Sequence, residues 1–80
     1  MATVNVLYFA VLQEQRGLGS EEVRTQAASL GELYDELQAA HGFTLPRSSL
    51  RVARNDRFCG WDETPMDADR VVFIPPVAGG

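Results

Sequence analysis

The sequence predicts one α+β domain, in which a mixed sheet of four to five strands is covered on one face by one main helix. Segments rich in β-branched and aromatic residues lie near both ends of the chain. Between them, one segment repeats apolar residues at the three- and four-residue spacing of an amphipathic helix. The 80 residues, 45% of them hydrophobic, suffice for a single small core, so residues 1–80 are predicted to form one domain.

The first strand is predicted over residues 3–12, where valine, leucine and aromatic residues dominate. Its core-facing residues are expected to be Val4, Val6 and Tyr8. Leu7 and Phe9 share the opposite parity with polar neighbours and are expected on the outer face. Two glycines in residues 13–20 indicate a turn, and the polar segment 21–26 then completes a hairpin as an edge strand.

The main helix is predicted to begin after Ser29, because Ser29 and Glu32 have the spacing of a capping box. Its apolar stripe is Leu30, Leu33, Tyr34, Leu37 and Ala40. Gly42 suits the left-handed conformation that ends a helix, and Phe43 is expected to fold back onto the last turn.

The remaining strands are predicted over residues 50–54, 58–61 and 71–74. The first two are separated by Asn55 and Asp56, a pair typical of tight turns. The order of the strands in the sheet is not determined by this pattern.

The charge balance argues against several classes of partner. The chain has eleven acidic residues, seven arginines and no lysine, which gives a net charge of −4 and disfavours binding to nucleic acid or anionic membranes.

No apolar run reaches the length of a membrane helix, and the N-terminus lacks a basic signal sequence. A cytoplasmic location is therefore expected.

Metal and cysteine chemistry are also disfavoured. One cysteine, Cys59, and one histidine, His41, can form neither an internal disulfide nor a four-ligand zinc site, so no metal site is expected. No cationic group or base is adjacent to Cys59 in sequence, and we interpret it as a structural thiol. His41 is interpreted as a structural residue near the helix end.

The C-terminal segment carries the functional signal. It reads Pro75-Pro76-Val77-Ala78-Gly79-Gly80. The two prolines end the sheet and favour an extended stem, so residues 75–80 are predicted to form a tail. At about 3.4 Å per residue, Gly80 could stand about 17 Å from the domain. Gly79 and Gly80 have no side chains, so a narrow channel in another protein would admit them. The terminal carboxylate is unreactive until activated, for instance as a mixed anhydride with AMP. A flexible terminus without function is the alternative.

Residues 69–80, together with Val-Leu-Tyr-Phe-Ala in the first strand and Leu-Gly-Glu-Leu at the helix start, resemble the MoaD-type sulfur carriers, the small subunits of molybdopterin synthase. The resemblance implies a ubiquitin-like β-grasp fold and a hetero-oligomer with the synthase large subunit. It also implies that a ubiquitin-activating-like adenylyltransferase uses ATP to adenylate Gly80, which is then converted to a thiocarboxylate. Sulfur would pass to cyclic pyranopterin monophosphate in the large subunit. The resemblance further implies that no cofactor is bound permanently and that the chain alone does not catalyse a reaction.

Apolar residues on the outer face are expected to dock these partners. Phe9, Phe58 and Ile74 are the predicted patch, and Pro75, Pro76 and Val77 extend it along the tail. Arginines at 51, 54 and 57 form a basic strip that meets an acidic partner surface or is simply solvated.

Other functions remain open at this point: a sulfur carrier for thiamine or tRNA thiolation, a ubiquitin-like modifier, or a non-catalytic β-grasp interaction module.

Overall fold

The computed structural model describes residues 1–76, which contain five strands, two α-helices and one 3₁₀ turn. In chain order these are β1 (Ala2–Tyr8), α1 (Ala10–Arg16), β2 (Ser20–Thr25), α2 (Leu30–His41), the 3₁₀ turn (Arg47–Ser49), β3 (Arg51–Arg54), β4 (Arg57–Cys59) and β5 (Arg70–Ile74). Across the described residues, no helix has the length and apolar character needed to cross a bilayer.

The five strands form one mixed sheet in the order β2-β1-β5-β3-β4. β5 pairs with β1 in parallel and with β3 in antiparallel orientation, and the two outer pairs are antiparallel. The last strand in the sequence is therefore the central strand of the sheet. The predicted α+β class and mixed sheet are confirmed, and the strand that leads into the tail is the middle strand of the sheet.

α2 packs across one face of this sheet, as predicted. The predicted core residues of β1 are at most 1% exposed, and Leu30, Leu33 and Tyr34 on the helix are fully buried. Ala40, expected in the same stripe, is exposed. At 100° per residue, ten residues of helix carry Ala40 about 80° away from Leu30, which is enough to leave the buried face.

The ends of α2 are fixed by local hydrogen bonds. The Ser29 hydroxyl accepts a 3.1 Å hydrogen bond from the Glu32 amide. The Glu32 carboxylate accepts from the Ala28 amide at 3.3 Å rather than from Ser29, so only half of the predicted capping box forms. Gly42 ends the helix at φ +71°, and Phe43 is buried beneath the last turn as predicted.

The prediction for the segment after β1 was wrong. The strand ends at Tyr8, and residues expected to continue it or to form a turn instead form α1, which ends at Gly17 with φ +82°. Leu12 is fully buried and seals one end of the core. The first residues of α1 are apolar and extend the strand-like pattern of β1 in the sequence. The sequence pattern therefore did not indicate that a helix begins here. β1 and β2 still pair antiparallel, but a helix joins them.

The turn between β3 and β4 agrees with its prediction. Asn55 and Asp56 both have positive φ angles, +52° and +72°, and connect the two strands of a hairpin. Two-residue turns of this kind match the twist of antiparallel strands, and asparagine and aspartate tolerate them well.

Candidate functional site

The tail leaves the fold from the end of the central strand. The last paired residue, Ile74, lies opposite Arg51 of β3. Its neighbour Phe73 is fully buried, with its ring stacked at 5.9 Å on Trp61 and edge-on at 5.1 Å to Tyr34. Strand pairing on both sides and this aromatic packing hold the start of the tail in a fixed position.

The two prolines after Ile74 differ in their environment. Pro75 is buried and belongs to the body of the domain, whereas Pro76 is exposed. Pro75 therefore packs with the body of the domain and has little surface to offer a partner, and Pro76 is the first exposed residue after β5. The other predicted tail residues, Val77, Ala78, Gly79 and Gly80, lie outside the described residues.

The face of the sheet opposite α2 carries an apolar depression of about 430 Å³. We call its apolar members the outer-face patch: Leu7, Phe9, Ala53, Phe58, Val72 and Ile74. Phe9 is 48% and Phe58 65% exposed, and Ile74 is half-buried. The structure therefore brings the three predicted patch residues to one surface, from β5, β4 and the segment after β1.

A second depression, of about 540 Å³, lies at the start of the tail. Phe58 and Ile74 line both depressions, and Pro75 and Pro76 line this one. The outer-face patch is thus continuous with the point where the tail emerges. A protein that covered the patch would also contact the base of the tail.

Charged groups border the outer-face patch. Arg70 forms a 3.1 Å ion pair with Asp56 at one margin. At the tail side, the guanidinium of Arg51 lies over the Phe58 ring, 5.2 Å from its centroid. Of the predicted basic strip, Arg54 is instead neutralised on the other face by Glu63 at 2.8 Å.

Cys59 is not equipped for nucleophilic chemistry. Its side chain packs against the core, and its sulfur lies 3.9 Å from the carbonyl oxygen of Val52. Burial, reinforced by the negative charge of Glu63, raises the pKa of the thiol. Reactive cysteines need a lowered pKa, so these surroundings support the structural interpretation.

Two features of this site were not predicted. Ala53 and Val72 complete the outer-face patch, and the sequence signal that could have identified Val72 is its shared parity with Ile74. The stacking of Arg51 on Phe58 joins two strands diagonally across a hairpin, and it depends on the register of β3 with β4.

Comparison with known proteins identifies relatives that align over nearly the whole chain. The signature of the ThiS family matches residues 6–80. A relative from Escherichia coli (strain K12), named molybdopterin synthase sulfur carrier subunit, is 30% identical, with 96% of this chain and 99% of the relative aligned. A relative with the same name from Mycobacterium tuberculosis (strain ATCC 25618 / H37Rv) is 36% identical, and both chains are covered completely.

Solved structures with the same fold include SAMP1 from Haloferax volcanii, with a TM-score of 0.82 and 26% identity over 99% of this chain and all of that one. The putative molybdopterin converting factor subunit 1 from Pyrococcus furiosus has a TM-score of 0.80 and 29% identity, covering 96% of this chain and 100% of that chain. A complex of subunits 1 and 2 of the molybdopterin-converting factor from Helicobacter pylori contains a chain with a TM-score of 0.68 and 25% identity. The alignment covers 98% of this chain and 99% of that one. Because the family signature spans most of the sequence and the solved structures that share its fold include a ubiquitin from Caldiarchaeum subterraneum, with a TM-score of 0.64, the chain belongs to the ThiS family and has the ubiquitin-like β-grasp fold.

Proposed function

We propose that this chain is the sulfur-carrier subunit of a molybdopterin synthase and that the carboxyl group of Gly80 is its reactive group. Two curated relatives that carry this name align over 99% or more of their own length. The observation that carries the proposal is the position of β5. It is the central strand, paired on both sides, and it leads directly into Pro75, Pro76 and the Gly-Gly end.

This arrangement suits a chain whose end must enter another protein. A strand held on both sides by hydrogen bonds resists being pulled or rotated when the tail engages a partner. Beyond Pro76, only Val77 and Ala78 carry side chains, and both are small. A narrow active site can therefore admit the last residues while the folded body remains outside.

The proposed chemistry occurs at the terminal carbonyl carbon. The Gly80 carboxylate attacks the α-phosphorus of ATP on the adenylyltransferase, and pyrophosphate leaves. A sulfur nucleophile at the oxidation level of hydrosulfide then displaces AMP, so one carboxyl oxygen departs with AMP and sulfur replaces it. In the large subunit the thiocarboxylate donates its sulfur to cyclic pyranopterin monophosphate, and water restores the carboxylate.

The outer-face patch is the proposed docking surface for the large subunit and for the adenylyltransferase. Two exposed phenylalanines on one sheet face form an apolar surface of the kind that marks protein interfaces. The subunit complex from Helicobacter pylori supports a two-protein assembly for a chain of this fold. Catalytic groups are assigned to the partners, which agrees with the raised pKa of the Cys59 thiol.

A ubiquitin-like modifier is the second candidate. It is favoured by the high TM-score, 0.82, to SAMP1 from Haloferax volcanii, which is called a small archaeal modifier protein. Both functions would begin with adenylation of Gly80. They differ in what attacks the activated carbonyl: a sulfur donor in a carrier, and an amine of a target protein in a modifier.

Intact-mass analysis tests the proposal. The full chain is incubated with ATP, an adenylyltransferase and a sulfur donor, and its mass is expected to rise by the difference between sulfur and oxygen. The modified chain, mixed with a large subunit and cyclic pyranopterin monophosphate, should then yield molybdopterin. A matched chain with one alanine added after Gly80 should do neither.

Three results would contradict the proposal. The first is an unchanged mass in the unextended chain. The second is a thiocarboxylate that yields no molybdopterin but supports thiamine or tRNA thiolation. The third is an isopeptide conjugate to a target protein in place of the thiocarboxylate, which would assign the chain as a modifier.

A further inference from the structure

We infer that Arg51, at the border of the outer-face patch, is a specificity-determining contact and that it pairs with an aspartate or glutamate side chain of the docked large subunit. This inference rests on the proposed function, because it concerns the same docking event. It specifies what the partner surface should contain: an apolar area with a carboxylate side chain beside the channel that admits the tail.

Arg51 lies in the depression at the start of the tail, next to the two residues, Phe58 and Ile74, that line both depressions. It begins β3, lies opposite Ile74 in the register with β5, and shares its outward parity with Ala53. Its guanidinium stacks on the Phe58 ring at 5.2 Å and lines the depression at the start of the tail. A partner that covers Phe58 and Ile74 therefore covers Arg51 as well.

The charge of Arg51 is not neutralised within residues 1–76. Four other arginines in that range, at positions 16, 47, 54 and 70, have carboxylate partners at 2.7–3.7 Å. Arg51 forms no ion pair there, and neither do Arg24 and Arg57, although the chain has eleven acidic residues. Beside the outer-face patch, Arg51 is thus a cation without a carboxylate partner among residues 1–76, in a protein whose net charge is −4.

Covering this cation without an anion would oppose docking. Removing water from an unpaired charge is strongly unfavourable, whereas a carboxylate can accept two parallel hydrogen bonds from a guanidinium. Stacking on Phe58 restricts the side chain before binding, which lowers the entropy lost when the ion pair forms. An apolar partner surface without a carboxylate would therefore be rejected, and this is how Arg51 would select among partners.

The test compares Arg51→Glu with Arg24→Glu, which makes the same change in net charge on β2, the edge strand that lies three strands away from β3. Arg24 lies on the edge strand β2, is exposed, and its guanidinium donates a hydrogen bond to the Met1 sulfur at 3.5 Å. Binding of each full-length variant to the large subunit is measured by calorimetry or biosensor. We expect Arg51→Glu to weaken binding by about tenfold or more and Arg24→Glu by less than about twofold.

Arg51→Gln provides a second readout if the charge reversal impairs folding. The wild-type affinity should fall as salt is added, and the Gln variant should show a flatter dependence because it lacks the ion pair. Equal loss in the two charge-reversal variants, or wild-type salt dependence in Arg51→Gln, would overturn the inference.

The wild-type chain separates this result from the proposed function. If wild type acquires a thiocarboxylate and forms the complex while the Arg51 variants bind equally well, only the role of Arg51 is wrong. If wild type shows no thiocarboxylate, the proposed function itself fails.

Discussion

The hydroxyl of Tyr8 donates a 2.6 Å hydrogen bond to the carboxylate of Glu21. The same carboxylate accepts hydrogen bonds of 2.8 and 2.7 Å from the Arg16 guanidinium, and the His41 ring lies 3.9 Å away. Glu21 thereby connects β1, α1, β2 and the end of α2 at one edge of the domain. The short helix α1 is held in place by this carboxylate as well as by the buried Leu12.

These contacts predict acid-sensitive stability. Hydrogen bonding to Arg16, opposed by partial burial, lowers the pKa of Glu21 from 4.5 to about 2. A carboxyl whose pKa is lower in the folded state stabilises the fold above its unfolded pKa. The contribution of Glu21 is therefore present above pH 4.5 and is lost as the pH falls toward 2.

Denaturant unfolding of wild type and Glu21→Gln, measured from neutral to acidic pH, checks this expectation. The variant should be less stable by about 1–3 kcal/mol at neutral pH, and the difference should shrink in acid. A constant difference at every pH would contradict the role given to the Glu21 charge.

Substitutions at two phenylalanines distinguish a role in stability from a role in docking. Phe73→Ala removes a fully buried ring from the core and should lower the free energy of unfolding by about 3–5 kcal/mol. Phe58→Ala removes a ring that is 65% exposed and should change stability by less than about 0.5 kcal/mol. Thermal unfolding measures both effects.

The same Phe58→Ala variant should bind the large subunit more weakly, because the ring belongs to the outer-face patch and supports Arg51. A chain with normal stability and normal affinity would show that the outer-face patch is not the docking surface.

The cap of α2 predicts a smaller effect. The Ser29 hydroxyl satisfies one of the free amides at the start of the helix. Ser29→Ala should destabilise the domain by about 1 kcal/mol, and Ser29→Asp should retain most of the stability because aspartate also caps well. Urea unfolding resolves this difference, and Ser48→Ala in the exposed 3₁₀ turn serves as the neutral control.

Ala68 predicts a gain in stability. It has φ +69° in the turn before β5, a left-handed conformation that disfavours a residue with a Cβ atom. Ala68→Gly should stabilise the domain by up to about 1 kcal/mol, because relief of strain exceeds the added freedom of the unfolded chain.

The same substitution at Ala40, an exposed position in α2, should cost about 1 kcal/mol because it replaces a good helix former with glycine. Thermal unfolding measures the change in stability for both variants. If both substitutions were destabilising, the backbone at Ala68 would not be strained.

The sequence alone determined the features that depend on local patterning. Alternation placed Val4, Val6 and Tyr8 in the core and Phe9 outside it, because neighbouring side chains of a strand project to opposite faces. Ser29 and Gly42 bounded the main helix, since capping acts within one turn. The terminal segment indicated the family, because it combines prolines that end a strand with a Gly-Gly end.

Only the tertiary structure decided what depends on contacts between distant segments. The insertion of β5 between β1 and β3 arises from pairing across most of the chain, and local pattern carries no information about strand order. α1 exists because Leu12 fills the end of the core and Glu21 binds Arg16, two contacts that an apolar run cannot reveal. The placement of Arg51 over Phe58, beside the exit of the tail, likewise follows from the register of three strands.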